Sequence, residues 1–303
     1  MRIWLAGIWA IGCLVVLPSA LYGAEEHTFT WQKTVDPAHP CAVHVDLAKG
    51  SVTVTGTDED KIVIDAITRL RAADRKESEE VADHVEIRVD TADGKVAVST
   101  NYLTMPDRGQ SSWQKVLGAG SDSYCSVDYT ISLPLKSSLA IRSMAADISL
   151  SNIEGEIQID NAAGATRAEF ILGAVDIRQP QGEVDLKWVE GNIRIRSSSG
   201  RITIHQSRGS VDLSTETGDV RVQTELDSRN DFVVETGTGS ITFLIPESSS
   251  GQFKIDSQTG EVRSDVPVII KSISRNRLIG QYGQGGPTIT LSSNSGNVTV
   301  APY

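Results

Sequence analysis

Aromatic residues are scarce in this chain of 303 residues: Phe, Trp and Tyr make up 5% of it, against 39% for all hydrophobic residues. Any core must therefore be built mainly from aliphatic side chains. Positive charge is also in deficit, because 28 Lys and Arg stand against 39 Asp and Glu, which gives a net charge of −11. No basic stripe is present, and this argues against a nucleic-acid partner.

Long hydrophobic runs are absent after the N-terminus. The one such run, residues 3–17, follows Arg2 and precedes small residues that end at Ala24. This order predicts a secretory signal peptide over residues 1–24. The alternatives are an uncleaved anchor and a lipoprotein acylated at Cys13. We expect the mature chain to be exported, either periplasmic or secreted, and to have no stable membrane span.

Cysteine is rare, and Cys41 and Cys125 are the only two that follow the predicted signal peptide. Both begin apolar strands, CAVHVDL and CSVDYTISL, that could lie side by side. In an oxidising compartment this arrangement predicts a disulfide. Two unpaired buried thiols are the alternative.

Motifs for catalysis, cofactors and metals are missing as well. There is no GxSxG sequence, and the calcium-binding GGxGxD turn of other nonapeptide repeats is absent, although Asp219 follows a glycine. His39, Cys41 and His44 are close in sequence but lack a fourth ligand. The sequence therefore predicts no catalytic residue, no cofactor and no metal.

Glycine, in contrast, recurs at a fixed interval. In EGNIRIRSSSGRITIHQSRGSVDL, residues 190–213, a glycine returns every ninth residue and is followed by alternating apolar and polar positions. This pattern predicts short strands with one buried face, joined by tight corners. The same spacing extends over Gly155, Gly164, Gly173, Gly182, Gly191, Gly200, Gly209 and Gly218.

The corners indicate that the true period is 18 residues. Two positions before the glycine, a large apolar residue occurs at every second corner, as Ile153, Ile171 and Val189. A coil of about 18 residues with two unlike corners is a flattened, two-sheeted parallel β-solenoid, in which residue i stacks on i+18 at ~4.8 Å. Val175 should then lie beside Ile193. The spacing of Gly239 and Gly260 predicts that later coils widen to about 21 residues.

The N-terminal third is β-rich but irregular, with strands predicted at 41–47, 51–55, 61–69, 85–91, 95–101, 125–133 and 138–143. A charged stretch at 73–84 predicts one short helix, and a long polar loop follows at 104–123. We expect residues 25–140 to form a cap that is continuous with solenoid repeats over 141–303.

Two groups of outward residues are the candidates for function. Phe170 and Trp188 are 18 apart at one corner, where they would either contact a ligand or pack beneath a loop, for which 104–123 is the candidate. Asp176 and Asp212 are two rungs apart on another face, near the upper spacing for an inverting glycosidase. Arg194 between them favours an ionic ladder instead.

The chain resembles a known family in several places. Its KGSVTVTG strand, YTISLPL, repeated SSGRITI, RGSVDL and TGDVRV units, and closing GQGGPTITLSSNSGNVTV are similar to exported bacterial β-solenoid domains described as candidate adhesins. The resemblance covers nearly all of the mature chain. It implies the fold and an adhesin label, and it brings no catalytic residues.

These observations predict a non-enzymatic, adhesin-like protein of the bacterial cell envelope that acts by surface recognition. Its ligand would be a glycan or a protein of the envelope or the extracellular space. A structural scaffold that assembles end to end and a β-helix enzyme that degrades polysaccharides are the alternatives.

Overall fold

The computed structural model describes residues 25–37, 40–72, 75–92, 94–102, 124–227 and 229–303. The predicted signal peptide and the loop at 104–123 lie outside these residues. One helix is found in the described part, α1 (Arg75–Ala82), where the sequence predicted it. The strands that precede the regular repeats are β1 (Glu25–Val35), β2 (Cys41–Thr57), β3 (Ile62–Ala72), β4 (Val85–Ala92), β5 (Lys95–Tyr102) and β6 (Tyr124–Pro134).

The regular repeats form two stacked parallel sheets. We call the sheet that contains Asp176 the front sheet and the sheet that contains Lys187 the back sheet; β7 bends through a corner and belongs to both. Their strands are β7 (Ser137–Glu154), β8 (Ile157–Asn161), β9 (Thr166–Leu172), β10 (Val175–Gln181), β11 (Val184–Glu190), β12 (Ile193–Ser199), β13 (Ile202–Arg208), β14 (Val211–Thr217), β15 (Val220–Thr224), β16 (Phe232–Thr238) and β17 (Ile241–Ile245).

Every regular strand pairs in parallel with the strand one full coil away. In the front sheet, Val175 lies between Ile157 and Ile193. In the back sheet, Val184 lies between Thr166 and Ile202. The inward positions of both sheets are buried and mainly aliphatic, and the hydrophobic ones form one continuous core. The predicted parallel two-sheeted solenoid with 18 residues per coil is confirmed.

Glycine is required at the corners because the coils are so close there. Gly191 has φ of 153°, and a Cβ atom at this position would be 2.0 Å from the carbonyl oxygen of Gly173 in the preceding coil. The sequence suggested only one reason for glycine at these corners, namely the positive φ. The contact with the neighbouring backbone is a second one, and it explains why the glycines themselves form a ladder.

The N-terminal strands close one end of the stack. Strand β2 is continuous, although the sequence predicted two strands, and it lies between β7 and a coil made of β5 and β6. Beyond that coil, β4 pairs antiparallel with β5. In the other sheet, β3 pairs antiparallel with β6, and β1 pairs antiparallel with β3. Strand β1 was not predicted. The helix α1 contacts β3, β1 and β4.

The C-terminal strands are β18 (Gly251–Ser257), β19 (Val262–Ser264), β20 (Ile269–Ser274), β21 (Arg277–Tyr282), β22 (Thr288–Ser295) and β23 (Val298–Pro302). Their order in space differs from their order in the chain. Strands β22 and β23 pair with β16 and β17 on one side and with β18 and β19 on the other. Gly260 therefore stacks on Gly296, whereas the glycine spacing suggested Gly239.

No helix among the described residues is long and apolar enough to span a membrane.

Candidate functional site

Three residues with left-handed backbone lie one above another at the end of the back-sheet strands. They are Asn152, Phe170 and Trp188, with φ of 56°, 56° and 55°. Asn tolerates this conformation, but Phe and Trp rarely adopt it. Backbone strain of this kind costs roughly 1–3 kcal/mol per residue and is concentrated at functional sites. We call these three residues, together with His205, the aromatic edge.

The local sequence explains why the chain turns here. In β11, the register with β13 shifts between Lys187 and Val189, so that Trp188 is an extra residue that points outward. The residue after each left-handed position points inward, and Ile153, Ile171 and Val189 are all buried. The bulge thus keeps this corner apolar inside while it places an aromatic side chain outside.

The ladder of bulges ends at Trp188 because the next coil closes its corner differently. Gln206 is buried, and its Nε2 donates hydrogen bonds to the carbonyl oxygens of Gly191 at 2.6 Å and Ser210 at 3.2 Å. Its Oε1 accepts a hydrogen bond from Thr224 at 2.9 Å. The corner of β13 has as many residues as that of β11, but its unpaired residue is Ser207, which follows the buried Gln206.

Phe170 and Trp188 keep 54% and 53% of their surface exposed. The Trp188 ring contacts the His205 ring, with centroids 4.1 Å apart and planes inclined by 49°. The sequence suggested residues 104–123 as a cover for this corner. Those residues lie outside the described part; Tyr102 at the end of β5 and Tyr124 at the start of β6 are at the opposite edge of the sandwich.

A cleft of about 510 Å³ follows the aromatic edge across five successive coils, from β2 to β13. Its lining combines apolar side chains with carboxylates and contains no Lys or Arg. Glu190, at one side, is paired with Arg208. The lining residues are Gly56, Thr57, Asp58, Leu135, Asn152, Glu154, Phe170, Ile171, Leu172, Trp188, Glu190 and Ser207.

A smaller cleft of about 320 Å³ lies beside the aromatic edge on the outer face of the back sheet. Lys187 Nζ is 3.0 Å from Asp185 Oδ2, and both residues line this cleft with Glu169. The other carboxylate oxygen of Asp185 is buried without a hydrogen-bond partner. Charged groups able to bind hydroxyls are therefore adjacent to the aromatic rings.

The front sheet carries the ionic ladder that the sequence predicted. Arg194 lies between Asp176 at 3.9 Å and Asp212 at 3.3 Å, and Arg196 is 2.7 Å from Asp212. The hydrogen bond from Arg196 holds the pKa of Asp212 below its usual value. A glycosidase general acid needs a raised pKa, and the shift of Asp212 is in the opposite direction.

Cys41 and Cys125 are both buried, and neither forms a disulfide in the structure. Cys125 packs with Ala48 and Leu70, whereas Cys41 lies beside Ser137, seven residues earlier in β2 than Ala48. The two strands do lie side by side, but their register separates the cysteines. Burial raises the pKa of the Cys125 thiol to about 12, which keeps it protonated.

The short run with His39, Cys41 and His44 does not converge on a metal. Cys41 points into the core, and His44 is on the other face of the same strand; His39 lies outside the described residues. Within the described ranges, no group of three or more His, Cys, Asp or Glu side chains could hold a metal ion.

Fold and site together define an elongated β-solenoid with an open cleft along one corner. The Toastrack DUF4097 family model matches residues 42–301, and the chain belongs to this family. Among proteins with curated descriptions, none matches the sequence.

Three solved structures are similar to the chain along most of its length. A candidate adhesin from Parabacteroides merdae has 11% identity and a TM-score of 0.38, with 90% of this chain and 96% of that chain covered. A candidate cell adhesion protein from Clostridium sporogenes has 14% identity and a TM-score of 0.27, with 91% and 100% covered. A candidate lipid-binding protein from Parabacteroides distasonis has 9% identity and a TM-score of 0.25, with 89% and 96% covered. Similarity at these values does not extend to function.

Proposed function

We propose that this protein is an exported, non-enzymatic, adhesin-like module of the bacterial cell envelope, and that it recognises its ligand at the aromatic edge. One observation carries the proposal: Phe170 and Trp188 are held in a strained left-handed conformation and yet remain half-exposed above a cleft. Backbone strain is concentrated at functional sites, and a ligand that contacts the exposed half of each ring would account for aromatic residues at these strained positions.

Export is supported by the N-terminal sequence, where Arg2, an apolar run and small residues precede Ala24 in the order of a secretory signal peptide. Surface recognition fits a solenoid because its sites repeat along the coils, and repeated weak contacts gain strength through multivalency. On the front sheet, the lowered pKa of Asp212 is the opposite of what a general acid requires.

The proposal is tested with purified residues 25–303, immobilised and exposed to envelope fractions and released glycans. The variant Phe170→Asn/Trp188→Asn should lose the captured ligand, because Asn keeps the left-handed backbone, as Asn152 does, and removes both rings. Met144→Asn is the matched control, since Met144 is also 53% exposed but lies at the opposite edge. Equal capture by the wild type and the double variant would refute the proposal.

End-to-end assembly is the second candidate function, favoured by one observation. Strand β20 is the exposed edge of the front sheet and presents Ile269, Ile270 and Ile273 to solvent. However, the register of β20 shifts between Ile270 and Ser272, and a bulge at Lys271 is a device that protects an edge from further pairing. Size-exclusion chromatography over a range of concentrations separates the two functions, because only assembly predicts growth in size.

A further inference from the structure

We infer that the ligand of the aromatic edge is a linear β-1,4-linked polysaccharide of neutral or amino sugars, which lies along the solenoid axis with one sugar ring per coil. This inference rests on the proposed function and names the ligand class of the same site.

The side chains of Asn152, Phe170 and Trp188 leave the back sheet in one direction. Asn152, Phe170 and Trp188 have nearly the same φ, and the strands that carry them pair in parallel without a shift from β7 to β11. Equivalent backbones in parallel register project their side chains in the same direction. The two side chains therefore leave the backbone in the same direction in successive coils, and the Trp188 ring lies against His205 in the coil that follows.

The distance between successive coils matches the length of a sugar unit better than that of an amino-acid residue. Successive coils are ~4.8 Å apart, whereas an extended peptide advances only ~3.3 Å per residue and loses register after a few residues. One ring of a β-1,4-linked pyranose chain advances by nearly the distance between coils. Such a chain places one sugar on Phe170 and the next on Trp188, with an apolar face of each sugar against an aromatic face.

The charge of the cleft also limits the ligand. Its lining includes Asp58, Glu154 and Glu190 and no cationic side chain. Glu190 is paired with Arg208, but the charges of Asp58 and Glu154 disfavour a polyanionic chain here. Carboxylates accept hydrogen bonds from hydroxyl groups and attract amines, which are the groups that neutral and amino sugars present.

Four further features fit a chain longer than two sugars. The cleft continues on both sides of the rings, to Gly56 in β2 and Ser207 in β13, so that it spans five coils. His205 supports the Trp188 ring from the next coil at 4.1 Å. Asn152 offers an amide in the coil before Phe170. Lys187 and Glu169 lie next to the aromatic edge on the outer face of the back sheet.

The test is calorimetric titration of residues 25–303 with di-, tetra- and hexasaccharides of β-1,4-linked glucose, glucosamine and N-acetylglucosamine, and with polymannuronate, a polyanion with the same β-1,4 linkage. We expect at least one series to bind, with roughly tenfold or greater gain from disaccharide to tetrasaccharide, because occupied subsites add their contributions. The gain should level off by the hexasaccharide. Polymannuronate should not bind, and binding as tight as that of the neutral chains would overturn the restriction to neutral and amino sugars.

The variant Phe170→Asn/Trp188→Asn should weaken binding by roughly tenfold or more, as aromatic anchors do in other interfaces. Its melting temperature should be equal to or higher than that of the wild type, because Asn relieves the strain. Met144→Asn should bind as the wild type does. A loss of binding that came with a loss of folding would overturn the argument from strain.

The remaining outcomes separate this inference from the proposed function. If the double variant loses envelope capture but no oligosaccharide binds the wild type, the ligand is not a glycan of this class, and only the inference falls. Equal affinity for di- and hexasaccharides would overturn the alignment with the coils. If envelope capture survives in the double variant, both the inference and the proposed function fall.

Discussion

Gly296 lies directly on Gly239 in the stack of coils, and a Cβ atom on Gly296 would be 2.0 Å from the Gly239 carbonyl oxygen. Strands β18 to β21 lie between Gly239 and Gly296 in the sequence. In space, however, they lie beyond Gly296, on the side away from Gly239. The amide of Gly239 donates to Ser295 O at 2.9 Å, and the amide of Ile241 donates to Asn297 O at 2.9 Å. The C-terminal segment is thus inserted between two coils that precede it in sequence.

Removal of residues 288–303 should unfold the C-terminal coils, because it opens a gap in both sheets and exposes the buried Ile289, Leu291, Val298 and Val300 positions to solvent. The loss of core contacts at each such position is worth roughly 1.5–3 kcal/mol. Circular dichroism during thermal unfolding should show a strongly lowered or broadened transition for the truncated chain.

Replacement of the β20–β21 hairpin, residues 267–283, by a short Gly-Ser linker is the comparison. This hairpin lies at the edge of the front sheet, and its loss uncovers only one strand, β18. We expect the smaller effect here. If the truncated chain were the more stable of the two, the order of the last coils described above would be incorrect.

Much of the fold could be predicted from the sequence because the residues of each repeat determine its register with the next coil. Glycine fixes the corner, and two aliphatic positions fix the inward face, so residue i must stack on i+18 as long as the spacing holds. The predicted order of the last coils was wrong, because the regular glycine spacing does not continue there. The sequence around Gly260 and that around Gly296 look alike, and nothing local to either decides which coil it joins. The inserted position of β2 was missed for the same reason.

The candidate site could be predicted in part. The 18-residue spacing placed Phe170 and Trp188 at one corner, but their left-handed backbone was not foreseen, because aromatic residues are among the least expected there. One signal was available: Asn152 precedes Phe170 by the same 18 residues, and Asn is the residue that commonly marks a left-handed position. The contact of His205 with Trp188 depends on the end of the bulge ladder, which only the structure reveals.

Gly191→Ala should destabilise the protein strongly. The added Cβ would be 2.0 Å from Gly173 O, and the atom it meets is backbone, which cannot move without shifting the neighbouring coil. We expect a loss of roughly 2 kcal/mol or more in the free energy of unfolding, from overpacking together with positive φ. Urea unfolding monitored by circular dichroism measures this loss.

Gly285→Ala separates the two causes, because Gly285 has φ of 89° but its added Cβ would have no neighbour nearer than 3.6 Å. This variant should show the cost of positive φ alone, about 1 kcal/mol. Equal losses for the two variants would mean that the contact between stacked glycines contributes nothing.

Asp212→Asn should cost less than about 1 kcal/mol at pH 7, because the Asp212 carboxylate is partly exposed and its ion pairs are screened by solvent. The hydrogen bond from Arg196 lowers the pKa of Asp212 in the folded state. A lowered folded pKa means that the stabilisation is present above the usual value near 4 and is lost as the pH falls through the folded pKa.

The loss of stability in Asp212→Asn should therefore shrink as urea unfolding is repeated from pH 7 down to pH 2. Asp176→Asn is the matched control on the same ladder, and its effect at pH 7 should be smaller, since its carboxylate is 3.9 Å from Arg194. A loss that stayed constant across this pH range would show that Asp212 acts through packing and not through its charge.

Cys41 and Cys125 should both titrate as free thiols in residues 25–303 purified without reductant. In the folded protein, reaction with Ellman's reagent at pH 8 should be slow, because both side chains are buried and the pKa of Cys125 is raised to about 12, so that almost no thiolate is present. After denaturation in guanidinium, two thiols per chain should react at once, and Cys125→Ala should reduce this number to one. If the unreduced, denatured protein contained no reactive thiol, a disulfide would join the two cysteines, and the register that places Cys125 beside Ala48 would have to be wrong.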